Sequence, residues 1–433
     1  MRCRFALVVV MFSAAAAMGA DRPDRPAMKD LMGLCVHTVQ FKPRLYQPIC
    51  RRVRDYHGLN WDLGDQTDFW PTFPLARNRV DWQKLYGDWT RAGFEINASI
   101  QLNATPPDSW VDLPRDAETY GFAFARFFGP GGRNLVTSAE IGNEPGAYDD
   151  ATYRRVFESM ARGMRLGDPR LKVVTCAMTA GPSGKYAKSL ECVRGLESLY
   201  DVLNVHSYAQ VEGWPTWRRS YPEDPSIRYL KDIQEIIDWR DRHAAGKEVW
   251  LTEFGYDACT KPAPKEGTFK DWVGSTELEQ ARYLVRSFLI FSAMDMDRAY
   301  IFWFNDNDEP HVHGSSGLTR NDQPKPAYHA VAYLYKTLGD YRFDGAIVQA
   351  AGDVYAYRYR HVDEPQRVIV AAWSPTGADR RVTRTLDVPP VDRAEAMPLA
   401  AGPAPTVQVE KERSGQVRLE LSESPVFLFC RIP

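Results

Sequence analysis

The chain has 433 residues, with 54 lysines and arginines against 56 aspartates and glutamates, 44% hydrophobic and 12% aromatic residues. That balance excludes a disordered, collagenous or membrane-embedded polypeptide and leaves enough apolar sequence for one barrel-sized domain with a smaller companion. A formal charge of -2 supplies no basic field for polyphosphates, so nucleic acid is not expected as a partner.

Residues 1–20 read as a secretory signal, with Arg2 and Arg4 ahead of the apolar stretch 5–12 and the small-residue run 13–17. The stretch is shorter than the roughly 20 residues that a membrane span needs. The expectation is an exported protein, periplasmic or extracellular, beginning near Asp21, with no membrane insertion once the signal is removed. Its removal takes away two positive charges and Cys3. Cys35, Cys50, Cys176, Cys192, Cys259 and Cys430 remain, too irregularly spaced for a disulfide framework or a zinc site, so free and mostly buried thiols are expected.

From residue 31 onward, eight strand-like runs alternate with helix-like segments: 31–37, 50–56, 94–102, 135–142, 171–177, 202–206, 248–252 and 298–304. Stretch 149–166, with Tyr153, Val156, Phe157, Met160 and Met164 near helical spacing, and stretch 276–294 are the clearest amphipathic helices between them. Eight such units in about 300 residues predict a (β/α)8 barrel over residues 31–338, an α/β fold. The link between the first two strands, with Pro43 and Pro48, is short for a helix. After the helical stretch 327–338 the texture becomes all-β, with alternating runs at 354–360, 367–372, 406–409 and 417–421. This predicts a small sandwich of six to eight strands over residues 339–433, with the patch 398–405 as a loop within it.

Barrel sites are built where strands end, and two carboxylates stand there. The fourth strand ends in Glu140-Ile141-Gly142-Asn143-Glu144-Pro145, the seventh in Thr252-Glu253-Phe254-Gly255. Two carboxylates facing each other across a barrel mouth are what glycoside hydrolysis needs, one protonated to serve the leaving oxygen and one ionised to attack the anomeric carbon. Glu140, four residues before Glu144 and on the same strand face, reads as a buried structural carboxylate paired with a basic group.

These strand ends resemble those of the clan A glycoside hydrolases, whose acid/base follows an Asn at the end of the fourth strand and whose nucleophile ends the seventh. The resemblance runs from about residue 31 to the C-terminus, and the trailing sandwich is similar to family 39 and its relatives. It also matches His206-Ser207-Tyr208 to the clan's His-x-Tyr, Arg54 to its second-strand Arg, Trp303 to its eighth-strand Trp, and 317–328 to the approach to the last barrel helix. The resemblance implies a retaining glycosidase acting on an O-glycosidic bond, expected to be β-linked, of an oligo- or polysaccharide, so a carbohydrate substrate is expected. In it Glu144 is the acid/base, Glu253 the nucleophile, Asn143 the holder of the 2-hydroxyl, Tyr208 and Arg54 the partners of Glu253, and Trp303 the sugar platform. No cofactor is implied. The third strand offers Gln101 and Asn103 where several families of the clan place a His.

Blander roles stand beside these. Glu253 could simply balance Arg54, and His206 with Tyr208 could be a hydrogen-bonded core pair. His37 ends the first strand, where it could touch substrate hydroxyls or sit in the core. Trp214 and Trp217 after the sixth strand, and Trp61, Phe69 and Trp70 after the second, could be outer sugar platforms or loop packing. Asp306, Asp308, Glu309, His311 and His313 after the eighth strand lack metal-site spacing and are expected to form a polar loop lining the cleft. The competing functions are a transglycosylase, which shares the covalent intermediate, and a catalytically silent glycan binder, which would have lost a carboxylate.

Overall fold

A computed structural model describes residues 25–350, 352–413 and 415–432; the signal expected at residues 1–20 lies outside them. Eight parallel strands close into a barrel: β1 Met32–Val36, β2 Arg52–Gly58, β3 Glu95–Gln101, β4 Ser138–Ile141, β5 Lys172–Thr179, β6 Val202–His206, β7 Glu248–Phe254 and β8 Arg298–Ile301. Each pairs with its sequence neighbours, β4 with β5 and β8 with β1 included, so no edge is left open. The eight strand-like runs of the sequence are these eight strands.

The interior is packed rather than hollow. Cys35, Val174, Val202, Trp250 and Tyr300 form a buried apolar layer inside the barrel. The outer ring is made of amphipathic helices: α1 Trp82–Arg91, α2 Leu113–Phe128, α3 Asp150–Gly167, α4 Tyr229–His243, α5 Glu277–Ala293 and α6 Pro326–Leu338. Thr276 opens α5 with a capping box to Glu279. Two crossovers depart from the full strand-helix alternation. Between β1 and β2 there is only the single turn Pro43–Tyr46, and between β5 and β6 only the 3-10 turn Leu190–Val193. The second departure is not foreseen by the pattern; Gly181-Pro182-Ser183-Gly184 favours turns over helix there.

Eight antiparallel strands follow: β9 Tyr341–Ala350, β10 Val354–His361, β11 Arg367–Trp373, β12 Val382–Asp387, β13 Val391–Ala396, β14 Glu410–Arg413, β15 Gln416–Leu421 and β16 Val426–Arg431. They form a five-stranded sheet, β9-β10-β11-β16-β13, and a three-stranded one, β12-β15-β14. The strand expected at 406–409 is instead Glu410–Arg413, with Thr406 making only an isolated bridge to Glu395.

The larger sheet is apolar on both faces. Val354, Ala356, Val368, Val370 and Leu428 pack toward the small sheet. Their alternating neighbours Tyr355, Tyr357, Tyr359, Ile369, Trp373 and Phe427 belong to the core shared with the barrel. A sheet covered on both sides needs continuous apolar strands, which the runs 354–357 and 368–373 supply.

The joint between the two parts also holds a buried charge cluster. Arg286 of α5 is fully buried, donates to Glu223 from Nε at 2.9 Å and from Nη2, and donates to Glu423 of the sandwich from Nη1 at 3.1 Å. Glu223 also accepts from Trp373 Nε1 at 2.6 Å. Removing the guanidinium strands two carboxylates in the interior. Arg286→Ala should cost about 3–5 kcal/mol, read as a lower urea midpoint, and expose the joint to proteolysis; an unchanged midpoint would show that the cluster is not holding the two parts together.

Candidate active site

At the C-terminal mouth of the barrel one guanidinium organises the site. Arg54 and Tyr56 are two apart on β2 and both face inward. Arg54, with no exposed surface, grips Glu140 of β4 through Nε to Oε2 and Nη2 to Oε1, both at 2.7 Å. Its Nη1 donates to Glu253 Oε1 at 2.8 Å, and Nη2 to Asn143 Oδ1 at 2.7 Å and Ser99 Oγ at 3.1 Å. Glu140 is thus the structural carboxylate that its position suggested.

Glu253 receives three donors. Oε1 accepts from Arg54 and from Tyr56 Oη at 2.7 Å, and Oε2 accepts from Tyr208 Oη at 3.0 Å. Burial pushes its pKa up, but His206, the Arg54 charge and the Tyr56 hydrogen bond together outweigh burial and hold it at about 2. Strand alternation alone would not bring both Thr252 and Glu253 inside. The pairing of β6 with β7 slips between Val205 opposite Leu251 and His206 opposite Glu253. That bulge admits an extra residue, so that Thr252 reaches His206 while Glu253 reaches Arg54.

Glu144 follows Gly142, whose φ of 81° lets the chain turn sharply out of β4. Its side chain is 23% exposed, against 7% for Glu253. His206 stands between the two, with Nδ1 at 2.9 Å from Glu144 Oε1 and 3.7 Å from Glu253 Oε2. Its Nε2 is 3.0 Å from Thr252 Oγ1, and that hydroxyl donates onward to Asn204 Oδ1 at 2.6 Å. Thr252 therefore accepts from an Nε2–H, and a single proton lies between His206 Nδ1 and Glu144. Burial opposes protonation of His206, yet the Glu253 charge and the Glu144 hydrogen bond raise its pKa above the ordinary value.

Glu144, His206 and Glu253 each offer one atom within 4.8 Å of the others, a set that could also hold a cation. The guanidinium 2.8 Å from Glu253 competes with a metal for that carboxylate, and the 2.9 Å contact between His206 and Glu144 is a hydrogen bond, so the arrangement suits proton chemistry better.

On the far side of the mouth Trp303 meets His37 edge-on, ring centres 4.9 Å apart, and His37 lies 5.4 Å from Tyr56. Burial lowers the His37 pKa, only partly offset by Asp55, and among the described residues its ring nitrogens have no protein partner. Asp55 accepts from Thr38 N at 2.8 Å and pins this loop. The eight residues expected to act in catalysis or substrate binding, Glu144, Glu253, Asn143, Arg54, His206, Tyr208, Trp303 and His37, lie at this mouth or in direct contact with those that do.

Tyr56 and His313 complete the site. Tyr56 could have been found as the neighbour of Arg54 at i+2. His313 comes from a loop whose conformation local pattern does not encode; it packs 5.0 Å from Tyr208, and burial lowers its pKa. Asp306 and Asp308 of that loop do not line the cleft as expected. Asp306 turns inward to Lys325 Nζ at 3.0 Å, and Asp308 to Thr260 N at 2.9 Å and Arg320 at 3.1 Å, because buried carboxylates need cations and donors. Trp61 stacks on Trp82 and Phe69 lies under Arg77, so these two are packing residues, whereas Trp70, beside Phe122 of α2, stays 55% exposed. The six cysteines at 35, 50, 176, 192, 259 and 430 are free, all buried except Cys259. No helix of the described residues is long and apolar enough to cross a membrane.

No protein-family model matches the sequence, and no curated protein matches it. Solved structures do. A family 39 glycoside hydrolase from the gut symbiont Bacteroides cellulosilyticus WH2 superposes at a TM-score of 0.70 with 17% identity, covering 94% of this chain and 82% of that one. A glucosidase from Croceicoccus marinus gives 0.62 and 14%, covering 94% and 97%. The family 51 α-L-arabinofuranosidase AbfB from Bifidobacterium longum gives 0.60 and 12%, covering 94% and 98%. At these identities the likeness is one of fold, and it is the fold that the family 39 resemblance implies.

The depressed pKa of Glu253 has a sign that stability measurements can read. Its contribution is present above the unfolded value of about 4.3 and is lost as pH falls through about 2. Between those limits the wild-type protein should lose more stability than Glu253→Gln, whose side chain does not titrate; parallel urea-midpoint curves for the two proteins would contradict the assignment.

Proposed function

We propose that the protein is a retaining glycosidase. The observation that carries this reading is the pair Glu144 and Glu253, with one oxygen of each within 4.8 Å across the mouth. That spacing supports double displacement, for which the carboxyl groups stand about 5–5.5 Å apart, over inversion, which needs about 6.5–9.5 Å to admit a water.

The donors divide the labour within Glu253. Oε1 already accepts two hydrogen bonds, while Oε2 accepts one and faces His206, so Oε2 is the oxygen with a free lone pair for attack. It bonds to the anomeric carbon as the glycosidic C–O bond breaks, and Glu144 passes its proton to the departing oxygen. Glu144 then takes a proton from water, whose oxygen replaces Oε2 on the anomeric carbon and restores the free carboxylate. Asn143, its Oδ1 held by Arg54, keeps its amide NH2 for a substrate hydroxyl. Trp303 and His37 provide the platform and a hydrogen-bonding edge for the sugar.

Glu253→Ala should abolish turnover, and added azide or formate should restore part of it with inverted product, as followed by NMR. Glu144→Gln should cleave an aryl glycoside with a good leaving group in a burst followed by slow turnover, because the first step needs little acid and the second still needs a base. Wild-type turnover in the first variant, or a burst in Glu140→Gln instead, would overturn the roles.

The proton shared by Glu144 and His206 sets a pH dependence. Removing one of its two holders lets the last proton leave at lower pH, so the basic limb of kcat/KM should move to lower pH in His206→Asn. A basic limb at the wild-type position would show that Glu144 holds this proton unaided.

A further inference from the structure

The connection after β6 is a hairpin whose root touches the nucleophile and whose tip stands in water. It is closed by Ser220 N donating to Ala209 O at 2.7 Å and Val211 N to Arg218 O at 3.0 Å. Trp217 N donates to Gly213 O and Thr216 Oγ1 to Glu212 Oε2, at 2.8 and 2.7 Å, and Arg218 pairs with Glu212. Val273 N, from the loop after β7, donates to Thr216 O at 2.8 Å and fixes the tip from outside. At the root, Tyr208 donates to Glu253 and Arg219 lies 4.4 Å over the Tyr208 ring. Trp214, at the tip, is 70% exposed. A fraying loop would let so large an apolar side chain find cover; this loop is bonded on both sides and holds it out.

The connection after β5 has a matching feature. It lies directly on the turn that carries Glu144, since a Cβ at Gly146 would stand 2.6 Å from the Lys185 carbonyl oxygen. The next residue, Tyr186, is 57% exposed, with Lys185 Nζ 5.2 Å from its ring centre. Exposed aromatic rings therefore stand on the two consecutive loops between the acid on β4 and the nucleophile on β7.

Direction follows from the chemistry. Trp303, His37, Tyr56 and Arg54 occupy the β8-β1-β2 arc of the mouth, so the sugar attacked by Glu253 rests there. Glu144 must reach the oxygen that departs, which sends the leaving group past Glu144 over the loops after β5 and β6. Resting on the glycosidase reading, we propose that Trp214 and Tyr186 form a subsite for the leaving group, and that this leaving group is itself a sugar, whose apolar C–H face lies on the Trp214 ring. The substrate is then an oligo- or polysaccharide rather than the glycoside of a small alcohol.

The test compares two substrates in one set of proteins. One is the 4-nitrophenyl glycoside that the wild type cleaves best, and the other is a trisaccharide or longer oligosaccharide ending in the same sugar. In Trp214→Ala the ratio of kcat/KM for the oligosaccharide to that for the nitrophenyl glycoside should fall about tenfold, mostly through KM, and Trp214→Phe should recover much of it. Tyr186→Ala should lower the ratio in the same direction by less. As a readout independent of turnover, the oligosaccharide should quench tryptophan fluorescence in Glu253→Ala and lose that quench in Glu253→Ala/Trp214→Ala. An unchanged ratio in Trp214→Ala, with both substrates cleaved, overturns the subsite and leaves the glycosidase reading standing. A wild-type protein inert on every glycoside overturns both.

Discussion

One buried guanidinium sets the terms for the whole mouth of the barrel. Arg54 has no contact with solvent, and two carboxylates, Glu140 and Glu253, with the side chains of Asn143 and Ser99, absorb its donors. A charge placed there is tolerable only if its geometry is fully specified, and a planar fork with fixed donor directions specifies it. By holding Glu140 with one edge and Glu253 with another, Arg54 fixes the spacing of β4 and β7 across the barrel. Asn143 and Glu144 then follow β4 at a set height. Of the other two donors to Glu253, Tyr56 lies on β2 beside Arg54, and Tyr208 comes from the hairpin after β6.

The charge count in this layer explains how Glu144 and Glu253 can stand so close together. Arg54 offsets one of its two buried carboxylates, which leaves the cluster negative and draws a proton toward His206. The line from Asn204 through Thr252 to His206 closes the other end of the imidazole, so the extra proton faces Glu144 at 2.9 Å, with Glu253 farther off at 3.7 Å. Of the two neighbouring carboxylates, Glu253 is the one ringed by donors and cations, and these hold it ionised well below the ordinary carboxylate range.

The barrel was legible because its signals are local and repeated. Apolar runs of strand length recur eight times, and a carboxylate after Asn at one strand end and before Phe-Gly at another can be read without coordinates. What escaped depends on register and on loops. Nothing local marks the bulge at Thr252 and Glu253, since it exists only in the pairing with β6. The crossover after β5 resembles its helical counterparts in length but is broken by Gly181, Pro182 and Gly184. Tyr56 was within reach by alternation from Arg54, whereas His313 meets Tyr208 from a loop in which Asp306 and Asp308 are bonded to Lys325 and Thr260. Acidic residues that look like cleft lining in a string of letters become internal counter-ions once Lys325 and Arg320 are found beside them.

The cluster around Arg286 bears on ancestry. Glu223 lies a few residues beyond the hairpin that carries Tyr208, and it is bonded at once to a barrel helix and to Trp373 of the sandwich. A β-sandwich tethered by a flexible linker can be exchanged between proteins like a bead on a string. This one shares its aromatic face with the barrel core and a charge with the segment that follows the Tyr208 hairpin, so neither half has an intact surface to offer a new neighbour. The two parts are expected to be inherited together and to diverge in step, with changes at 223, 286 and 423 compensating one another across descendants.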